Sequence, residues 1–256
     1  MSARRVVPAL AFALVAALVL VGCDNSKEPT FQGWMEAELI FVGPDETGRI
    51  EVLAEKEGDQ VEQRAPLFTL DADLQLADVA MQEAAVKNAQ IAYDRAQQLL
   101  KTQSGTQRAL DDAEAALRTS QARLNSAQTR LARRKVFSPV TGSVQQIYYR
   151  VGELVPAGKP IVALLPPSNL KVRFFINEAM LPKLKIGETV TISCDGCDRG
   201  LTAKISFIAR TAEFTPPVIY SMEERSKLVF LIEARPARPE QLRVGQPVSV
   251  ALGQGQ

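Results

Sequence analysis

Two stretches of the chain repeat the same pattern of residues 94 positions apart, and this repeat constrains the fold more than any other feature. Glycines recur at two equivalent positions, and apolar residues recur between and after them. The matched pairs are Gly48 and Gly142, Ile50 and Val144, Gly58 and Gly152, Val61 and Val155, Pro66 and Pro160, Leu67 and Ile161, and Leu70 and Leu164. Shared glycines indicate tight turns and shared apolar residues indicate strand faces. The repeat therefore predicts paired short β-strands.

The two stretches resemble the two halves of a lipoyl or biotinyl domain, which is a small flattened β-sandwich. One departure is Arg64, which stands where the second stretch has Gly158. A carrier domain of that type presents an acceptor lysine on the turn that joins its halves. A long insertion replaces that turn here, so we expect no attached cofactor. A lipoyl-type carrier is the alternative, and a cofactor adduct in the intact mass would reveal it.

The insertion has the composition of two long helices. Residues 72 to 135 include no proline and a single glycine, Gly105, and the helix formers Ala, Leu, Gln and Arg dominate. A break at residues 102–105 is short, so the helices should fold back as an antiparallel hairpin. The second helix carries a heptad seam of leucines with small residues beside it, which predicts a coiled coil. These leucines are Leu110, Leu117, Leu124 and Leu131.

The first helix carries a looser apolar stripe at heptad spacing. This stripe consists of Leu74, Ala77, Met81, Ala84, Asn88 and Ile91, and a second stripe on the same helix consists of Ala85, Ala89, Ala92, Ala96 and Leu99. Part of these stripes belongs to the hairpin's own seam. A two-helix hairpin of this length has little core of its own, so lateral neighbours would complete its burial.

The C-terminal residues alternate between apolar and polar in the manner of a small antiparallel β-barrel. We predict strands near 170–176, 186–192, 201–209, 228–234 and 248–252, and a strand near 35–42 that closes the sheet. The predicted fold class is α+β: a split lipoyl-like β-sandwich interrupted by a long antiparallel coiled-coil hairpin, plus a small antiparallel β-barrel. The domain assignment is a linker at 24–34, a barrel at 35–42 and 168–256, a sandwich at 43–71 and 136–167, and a hairpin at 72–135.

The first 23 residues have the pattern of a secretory signal. Arg4 and Arg5 precede a short apolar run that ends in Leu20-Val21-Gly22-Cys23. This ending resembles a lipobox, so we assign residues 1–23 to a lipoprotein signal peptide and expect lipid on Cys23. An ordinary signal peptide or an uncleaved anchor is the alternative. Asp24 follows the cysteine, and resemblance to enteric lipoproteins implies a sorting role for it in retention at the inner membrane.

Cys194 and Cys197 enclose Asp195-Gly196 in a predicted turn of the barrel. A C-x-x-C pair occurs in redox sites, in metal sites and in local disulfides. The chain contains no histidine and no second cysteine pair, so a zinc site is poorly supplied with ligands. We favour a disulfide formed in an oxidising compartment.

The absence of histidine also excludes several enzyme classes, including those that use Ser-His-Asp or Cys-His pairs. The 30 basic and 29 acidic residues give a net charge of +1, so no basic field attracts nucleic acid. We expect no enzymatic activity, no cofactor, no metal and no nucleic-acid partner.

The order of these parts is similar to that of HlyD-type periplasmic adaptors, also called membrane fusion proteins, in a lipoprotein form of the ABC-exporter-associated type. These adaptors often carry Arg, Leu and Ser at the hairpin tip, which dock on TolC-type outer-membrane channels. The matching residues here are Arg95, Leu99 and Thr106, with Thr replacing Ser. Thr keeps the hydroxyl group, so its hydrogen-bonding capacity is retained. The alternative is that Arg95 is a solvated helix charge and Leu99 a seam residue.

The resemblance implies a periplasmic adaptor subunit for efflux or secretion, anchored to the inner membrane by its lipid and assembled into a homo-oligomeric, hexameric ring. Its partners would be an inner-membrane transporter and a TolC-type channel. Similarity of Ala212-Glu213-Phe214-Thr215-Pro216-Pro217 to segments of ABC-exporter adaptors favours an ABC permease and ATPase. We also expect the membrane-proximal domain of pump adaptors to be absent or vestigial. The alternatives are an adaptor for a proton-driven efflux pump and a purely structural envelope lipoprotein.

Overall fold

The computed structural model describes residues 29–214 and 228–252 of the 256-residue chain. The described residues form two units: residues up to Glu36 together with those from Lys171 onward, and residues Ala37–Leu170. The predicted signal, its Cys23 and Asp24, and the segment after Phe214 lie outside the described residues. The first strand, β1 (Thr30–Ala37), belongs largely to the first unit.

The unit Ala37–Leu170 contains a β-sandwich of two four-stranded antiparallel sheets. Its strands are β2 (Ile40–Val42), β3 (Gly48–Leu53), β4 (Gln60–Val61), β5 (Pro66–Leu70), β6 (Lys135–Phe137), β7 (Gly142–Ile147), β8 (Leu154–Val155) and β9 (Val162–Leu165). One sheet has the order β2-β9-β7-β4 and the other has the order β6-β5-β3-β8. The predicted split sandwich is therefore confirmed.

The repeat in the sequence becomes an exchange of strands between the two halves of the sandwich. Strand β4 pairs with β7, with Val61 opposite Gly142, and β8 pairs with β3, with Val155 opposite Gly48. The 94-residue offset of the repeat relates the two pairings, because it carries Val61 to Val155 and Gly48 to Gly142. Each sheet thus contains strands from both stretches, and the apolar residues of both contribute to one core. The matched core residues are Ile50 and Val144, Val61 and Val155, Leu67 and Ile161, and Leu70 and Leu164, all buried.

Arg64 adopts the backbone conformation of the glycine that it replaces. Its φ is 71°, and φ of Gly158 is 74°. The backbone N–H of Arg64 donates to the carbonyl of Ser138 at 2.8 Å, and that of Gly158 donates to the carbonyl of Pro44 at 2.8 Å. The turn geometry is therefore the same in both halves, and the first half holds an arginine in the left-handed region that favours glycine.

Two long helices lie between β5 and β6, as the composition predicts. They are α1 (Asp73–Lys101) and α2 (Gln107–Ala132). The helices pack against each other, and Arg130 near the end of α2 contacts Asp78 near the start of α1 at 2.7 Å. This ion pair shows that the helices run antiparallel. The leucine seam of α2 is covered, with Leu117 and Ala127 buried and Leu110, Leu124 and Leu131 half-buried.

Arg134, directly after α2, fixes the base of the hairpin to the sandwich. The residue is 7% exposed. Its Nη1 donates to the carbonyl of Thr47 at 3.0 Å, and its Nη2 contacts Glu46 at 3.3 Å. Its backbone carbonyl accepts from the N–H of Leu70 at 2.9 Å. A Cβ at Gly48 would lie 2.5 Å from Nη1, so the glycine makes room for the guanidinium.

The other unit is a closed antiparallel β-barrel. Its remaining strands are β10 (Leu170–Asn177), β11 (Thr189–Ser193), β12 (Leu201–Ile208), β13 (Glu213–Phe214), β14 (Leu228–Pro236) and β15 (Pro247–Leu252). Six strands follow the order β10-β1-β15-β11-β12-β14, and pairing of β10 with β14 closes the barrel. The predicted six-stranded barrel is confirmed. Short 3-10 helices occupy Glu178–Lys183 and Pro239–Gln241.

The N-terminal boundary of the barrel corrects the prediction. The closing strand is Thr30–Ala37, and its residues 30–34 pair with Pro247–Ala251, so part of the predicted 24–34 linker is a barrel strand. Ile40–Val42 pairs instead with Val162–Leu164 in the sandwich. The physical reason is that Phe31, Gly33 and Met35 alternate inward, whereas Ile40 and Val42 pack on the sandwich core.

Among the described residues, no helix is both long enough and apolar enough to cross a membrane.

Candidate functional site on the helical hairpin

The tip of the hairpin is a tight turn formed by residues 102–106. The N–H of Ser104 donates to the carbonyl of Leu99 at 2.8 Å, and the N–H of Gln103 donates to the carbonyl of Leu100 at 3.1 Å. These two bonds form a Schellman motif, which satisfies carbonyl groups at the end of α1. The left-handed residue of the motif is Gln103, with φ 58°. The tip is therefore a defined structure rather than a frayed end.

Gly105 allows a close approach between two segments of the chain and does not provide a left-handed turn residue. Its φ is not in the left-handed region, and a Cβ there would lie 3.0 Å from the Cβ of Leu99 and 3.0 Å from the backbone nitrogen of Leu100. Glycine is needed because the returning chain passes close to the last turn of α1.

Thr106 is the N-cap of α2. Its backbone is extended, with φ −115° and ψ 150°, and its Oγ1 accepts from the N–H of Ala109 at 3.2 Å. This contact satisfies one of the free N–H groups at the start of the helix. The capping role was not among our sequence-based predictions, although Thr directly before a run of helix formers is the signal for it.

Arg95 and Leu99 lie on the last two turns of α1, and both side chains are exposed. Leu99 is 43% exposed, and the neighbouring Leu100 is the residue of this last turn that is half-buried. Thr106 is also exposed, at the other side of the turn. The three residues predicted to dock thus occupy one end of the hairpin and are accessible there.

The first of the two predicted stripes on α1, which begins at Leu74 and ends at Ile91, faces away from α2. All of its members are exposed, with Leu74 at 81%, Met81 at 61% and Ile91 at 49%. The covered positions of α1 form a different stripe, in which every residue is half-buried: Val79, Gln82, Val86, Ala89, Tyr93, Ala96 and Leu100. The intramolecular seam therefore leaves a second apolar surface unpartnered within the described residues. We call Leu74, Ala77, Met81, Ala84, Asn88, Ile91 and Arg95 the α1 outer stripe.

Helix α2 carries a corresponding outer stripe of small residues. Its members are exposed and have the same heptad spacing: Asp112, Ala115, Thr119, Ala122, Ser126 and Thr129. The leucines of α2 are all on the covered side, so this outer stripe has no large apolar residue. We call this set the α2 outer stripe.

Cys194 and Cys197 are joined by a disulfide in the turn after β11. Their Cα atoms are 5.3 Å apart, the N–H of Cys197 donates to the carbonyl of Cys194 at 3.2 Å, and Gly196 between them has φ 77°. The pair thus closes a turn of the barrel. Residues 29–214 and 228–252 include no group of three or more His, Cys, Asp or Glu side chains placed to bind a metal ion.

Comparison with known proteins gives this architecture a class. A family model described as the barrel-sandwich hybrid domain of the RND MFP matches residues 38–165, which is half of the chain. A UPF0194 membrane protein from Acidithiobacillus ferridurans is 30% identical over 173 residues, covering 66% of this chain and 51% of the relative. The chain spans about half the length of this relative, and less than half the length of two further relatives that it matches.

Solved structures have the same fold. The membrane fusion protein Spr0693 from Streptococcus pneumoniae R6 aligns with a TM-score of 0.69 at 19% identity, covering 89% of this chain and 100% of that one. A MacA–MexA chimera with the Pseudomonas aeruginosa MexA α-hairpin aligns with a TM-score of 0.70 at 23% identity, covering 90% and 82%.

A split sandwich that carries a helical hairpin, together with a closed barrel, is the architecture of a periplasmic adaptor. The chain belongs to the membrane fusion protein family.

Proposed function

We propose that this protein is a non-enzymatic periplasmic adaptor that links an inner-membrane exporter to a TolC-type outer-membrane channel for efflux or secretion. The observation that carries the proposal is the hairpin tip. It presents Arg95, Leu99 and Thr106, all exposed, on the ordered end of two packed helices. An apolar side chain beside a cation and a hydroxyl is a small surface suited to a protein groove.

The hairpin has the length that a bridging role requires. Helix α1 has 29 residues, which is about 44 Å at 1.5 Å per residue. The heptad positions covered between α1 and α2 support the proposal that the hairpin is a coiled coil. Such a rigid arm would carry the tip away from the sandwich.

The transporter partner that we propose is of the ABC type, with a permease and an ATPase. Its support is the resemblance of residues 212–217 to segments of ABC-exporter adaptors. A specific observation favours the alternative of a proton-driven pump, because the matching family model is described as that of RND MFP proteins. Co-purification of the full chain with its transporter distinguishes the two, since an ATPase subunit is expected only in the first case.

The anchor that we propose is lipid on Cys23, with Asp24 as the residue that retains the protein at the inner membrane. The lipobox-like sequence that ends at Cys23 supports this proposal. The disulfide between Cys194 and Cys197 fits the same oxidising compartment. We also propose that about six copies form a closed ring, because closed rotational symmetry buries equivalent surfaces on every copy.

The tip assignment predicts that Leu99→Asp abolishes export. A charge placed where Leu99 meets the channel would be desolvated on docking, so export activity should fall by about tenfold or more. The measurement is the growth of a gene-deletion strain that carries each variant and is challenged with an exported compound. Protein abundance is followed by immunoblot.

Leu76→Asp is the matched control for this experiment. Leu76 is also an exposed leucine of α1, at 53%, but it lies at the base of the hairpin. It should retain export at the wild-type level. Full export by Leu99→Asp at normal abundance would remove the tip from the proposal. Unchanged sensitivity of the deletion strain itself would instead support a purely structural envelope role.

A further inference from the structure

The barrel contains one short sequence motif twice, immediately before two of its strands. Leu184-Lys185-Ile186-Gly187 precedes β11, and Leu242-Arg243-Val244-Gly245 precedes β15. In each copy the leucine is buried, the glycine is left-handed, and a 3-10 helix comes before the motif. The apolar third residue is exposed in both copies, at 70% for Ile186 and 50% for Val244. The two copies therefore share their local structure and differ in where they lie on the barrel.

The antiparallel strand order places the two copies at opposite ends of the barrel. Strand β1 begins at Thr30, which pairs with Ala251 near the end of β15, and the start of β11 pairs with Leu252 at the end of β15. The start of β11, and with it Ile186, is therefore at the end of the barrel where β1 begins. Strand β15 begins at the other end, where Val244 lies.

The end of the barrel with Ile186 is also the end that follows the proposed lipid anchor. Thr30 comes seven residues after Cys23, and an extended chain spans at most about 3.6 Å per residue. The start of β1 is therefore held within about 25 Å of a lipid on Cys23, whatever the path of the intervening residues. The Val244 end is a barrel length further from this tether. The chain length thus brings the Ile186 end to the membrane.

Apolar and basic side chains are exposed together at the Ile186 end. The N–H of Gly187 donates to the carbonyl of Ile205 at 2.8 Å, so Ile186 lies beside the residues that follow Ile205 on β12. One of these, Phe207, is 47% exposed. Four basic residues at this end, on β12 and on the connections before β11 and after β12, are also exposed. We call Lys183, Lys185, Ile186, Lys204, Phe207 and Arg210 the basal patch.

The basic side chains of the basal patch have no ion pair or hydrogen bond in the part of the chain that the structure describes. Carboxylates at the same end belong to Glu178, Glu188 and Glu213. Glu188 is half-buried and accepts from the backbone N–H of Lys185 at 2.9 Å, whereas Glu178 and Glu213 are exposed. Four exposed cations thus stand against two exposed carboxylates. This excess of positive charge beside two apolar residues suits an anionic lipid surface.

We propose that the basal patch rests on the periplasmic surface of the inner membrane, with Ile186 and Phe207 in the headgroup layer and the four basic side chains on anionic phospholipids. The inference depends on the proposed lipid anchor and adds to it the protein surface that touches the bilayer. A lipid anchor alone holds a protein near the membrane without fixing its orientation. Contact through the basal patch orients the barrel with the start of β1 toward the membrane.

Fluorescence quenching by lipids tests this contact in the full lipidated chain. Ile186→Cys supplies one reactive thiol, because lipid occupies Cys23 in the proposed form and Cys194 is joined to Cys197. The thiol is labelled with an environment-sensitive fluorophore, and the chain is reconstituted in vesicles of phosphatidylethanolamine and phosphatidylglycerol with a nitroxide-labelled lipid. We expect the nitroxide to lower the emission by about twofold or more, because the label lies in the headgroup layer.

Val244→Cys is the matched control, since Val244 occupies the same position of the same motif at the other end of the barrel. Its label should show little quenching. Equal quenching at both positions would contradict an oriented contact, and no quenching at position 186 would overturn the proposal. A label at position 186 that ignores the nitroxide lipid but changes its emission in native membranes would assign the basal patch to a protein partner instead.

Charge reversal tests the basic part of the basal patch. Lys183→Glu combined with Lys185→Glu in the Ile186→Cys chain should lower the quenching by about twofold or more, and replacing phosphatidylglycerol by phosphatidylcholine should have the same effect. Arg243→Glu should leave the quenching at position 186 unchanged, because Arg243 corresponds to Lys185 in the other copy of the motif. Quenching that responds neither to charge reversal nor to lipid charge would contradict headgroup binding.

Flotation of the vesicles separates failure of this contact from failure of the proposed anchor. A chain that floats with the vesicles and shows no quenching at position 186 retains the anchor and rejects the contact. A chain that does not float rejects both. Neither measurement requires an exporter or a channel, so the adaptor role is tested independently by the export assay of Leu99→Asp.

Discussion

Arg64 stands where the second half of the sandwich has Gly158, and the two residues share the same left-handed backbone conformation. A left-handed backbone costs a non-glycine residue about 1–2 kcal/mol, and Arg64 adopts it at φ 71°. Because glycine is also less ordered in the unfolded chain, Arg64→Gly should raise the free energy of unfolding by a net of about 0.5–1 kcal/mol. Thermal and urea unfolding of the purified chain measure this change.

The reciprocal variant Gly158→Arg is the matched test. A Cβ at Gly158 meets no atom within 4 Å, so the substitution adds backbone strain without a clash. Arginine is also more ordered than glycine in the unfolded chain, so the free energy of unfolding should fall by a net of about 0.5–1 kcal/mol. A gain in stability from this variant, or a loss from Arg64→Gly, would contradict the equivalence of the two turns.

Gln103 and Gly105 show where sequence reasoning ends at the scale of single residues. The sequence predicts a turn at 102–105 but does not show which of its residues is left-handed. The structure gives that conformation to Gln103, because the Schellman bonds to Leu99 and Leu100 require it one position after the helix cap. The glycine is needed for close approach instead, and approach between segments is not visible in a local pattern.

At the scale of elements, Thr106 determines where α2 begins. Thr106→Ala removes the hydrogen bond to the N–H of Ala109 and should destabilise the hairpin by about 1 kcal/mol. Thr106→Ser keeps the acceptor and should have little effect. Amide hydrogen exchange at the first turn of α2 measures the difference. Equal exchange in both variants would show that the cap contributes no stability.

The capping role of Thr106 also affects the interpretation of variants at the hairpin tip. A defect in export by Thr106→Ala combines loss of the cap with loss of any contact to the channel. Thr106→Ser separates the two, because it retains the cap and changes only the shape that the channel meets.

The heptad stripes were largely predictable at this scale, and their exposure was not. The sequence shows apolar residues at heptad spacing on more than one side of α1, and Leu74, Met81 and Ile91 belong to one of these stripes. It does not show which stripe packs against α2. The structure shows that α2 covers the stripe of Val79, Val86 and Leu100 instead. Packing between helices made this choice, since the leucines of α2 fit against that side.

At the scale of the whole molecule, the hairpin is an insertion into an otherwise continuous sandwich. Strands β5 and β6 pair directly, with Thr69 opposite Lys135, and Leu70 bonds to Arg134. Replacing residues 73–132 by a turn of about four residues rich in Gly and Asn should therefore leave the β structure folded. Circular dichroism and cooperative thermal unfolding are the measurements.

The shortened chain should be folded and inactive in export. An aggregated or unfolded product would show that the sandwich depends on the hairpin for its stability. Retained export would show that the hairpin is not the bridging element.

The barrel boundary is the part of the architecture that the sequence placed incorrectly. Residues 35–42 form a suitable apolar segment, but the chain passes from the barrel to the sandwich between Ala37 and Ile40. The sheet that a short apolar segment joins depends on strands far along the chain. Residues 30–34 pair with Pro247–Ala251 in the barrel, and Ile40–Val42 pairs with Val162–Leu164 in the sandwich. A local pattern carries no information about such partners.

The exchange of β4 and β8 between the halves imposes an order on folding as successive parts of the chain become available. Strand β3 pairs with β8, roughly a hundred residues later, so neither sheet can close until the second stretch has emerged. The helices of the hairpin make mostly local contacts and can form first. The arm that we propose to reach the channel would then form while the first half of the sandwich still has unpaired strand edges, and these edges are where a chaperone would protect the partly folded chain.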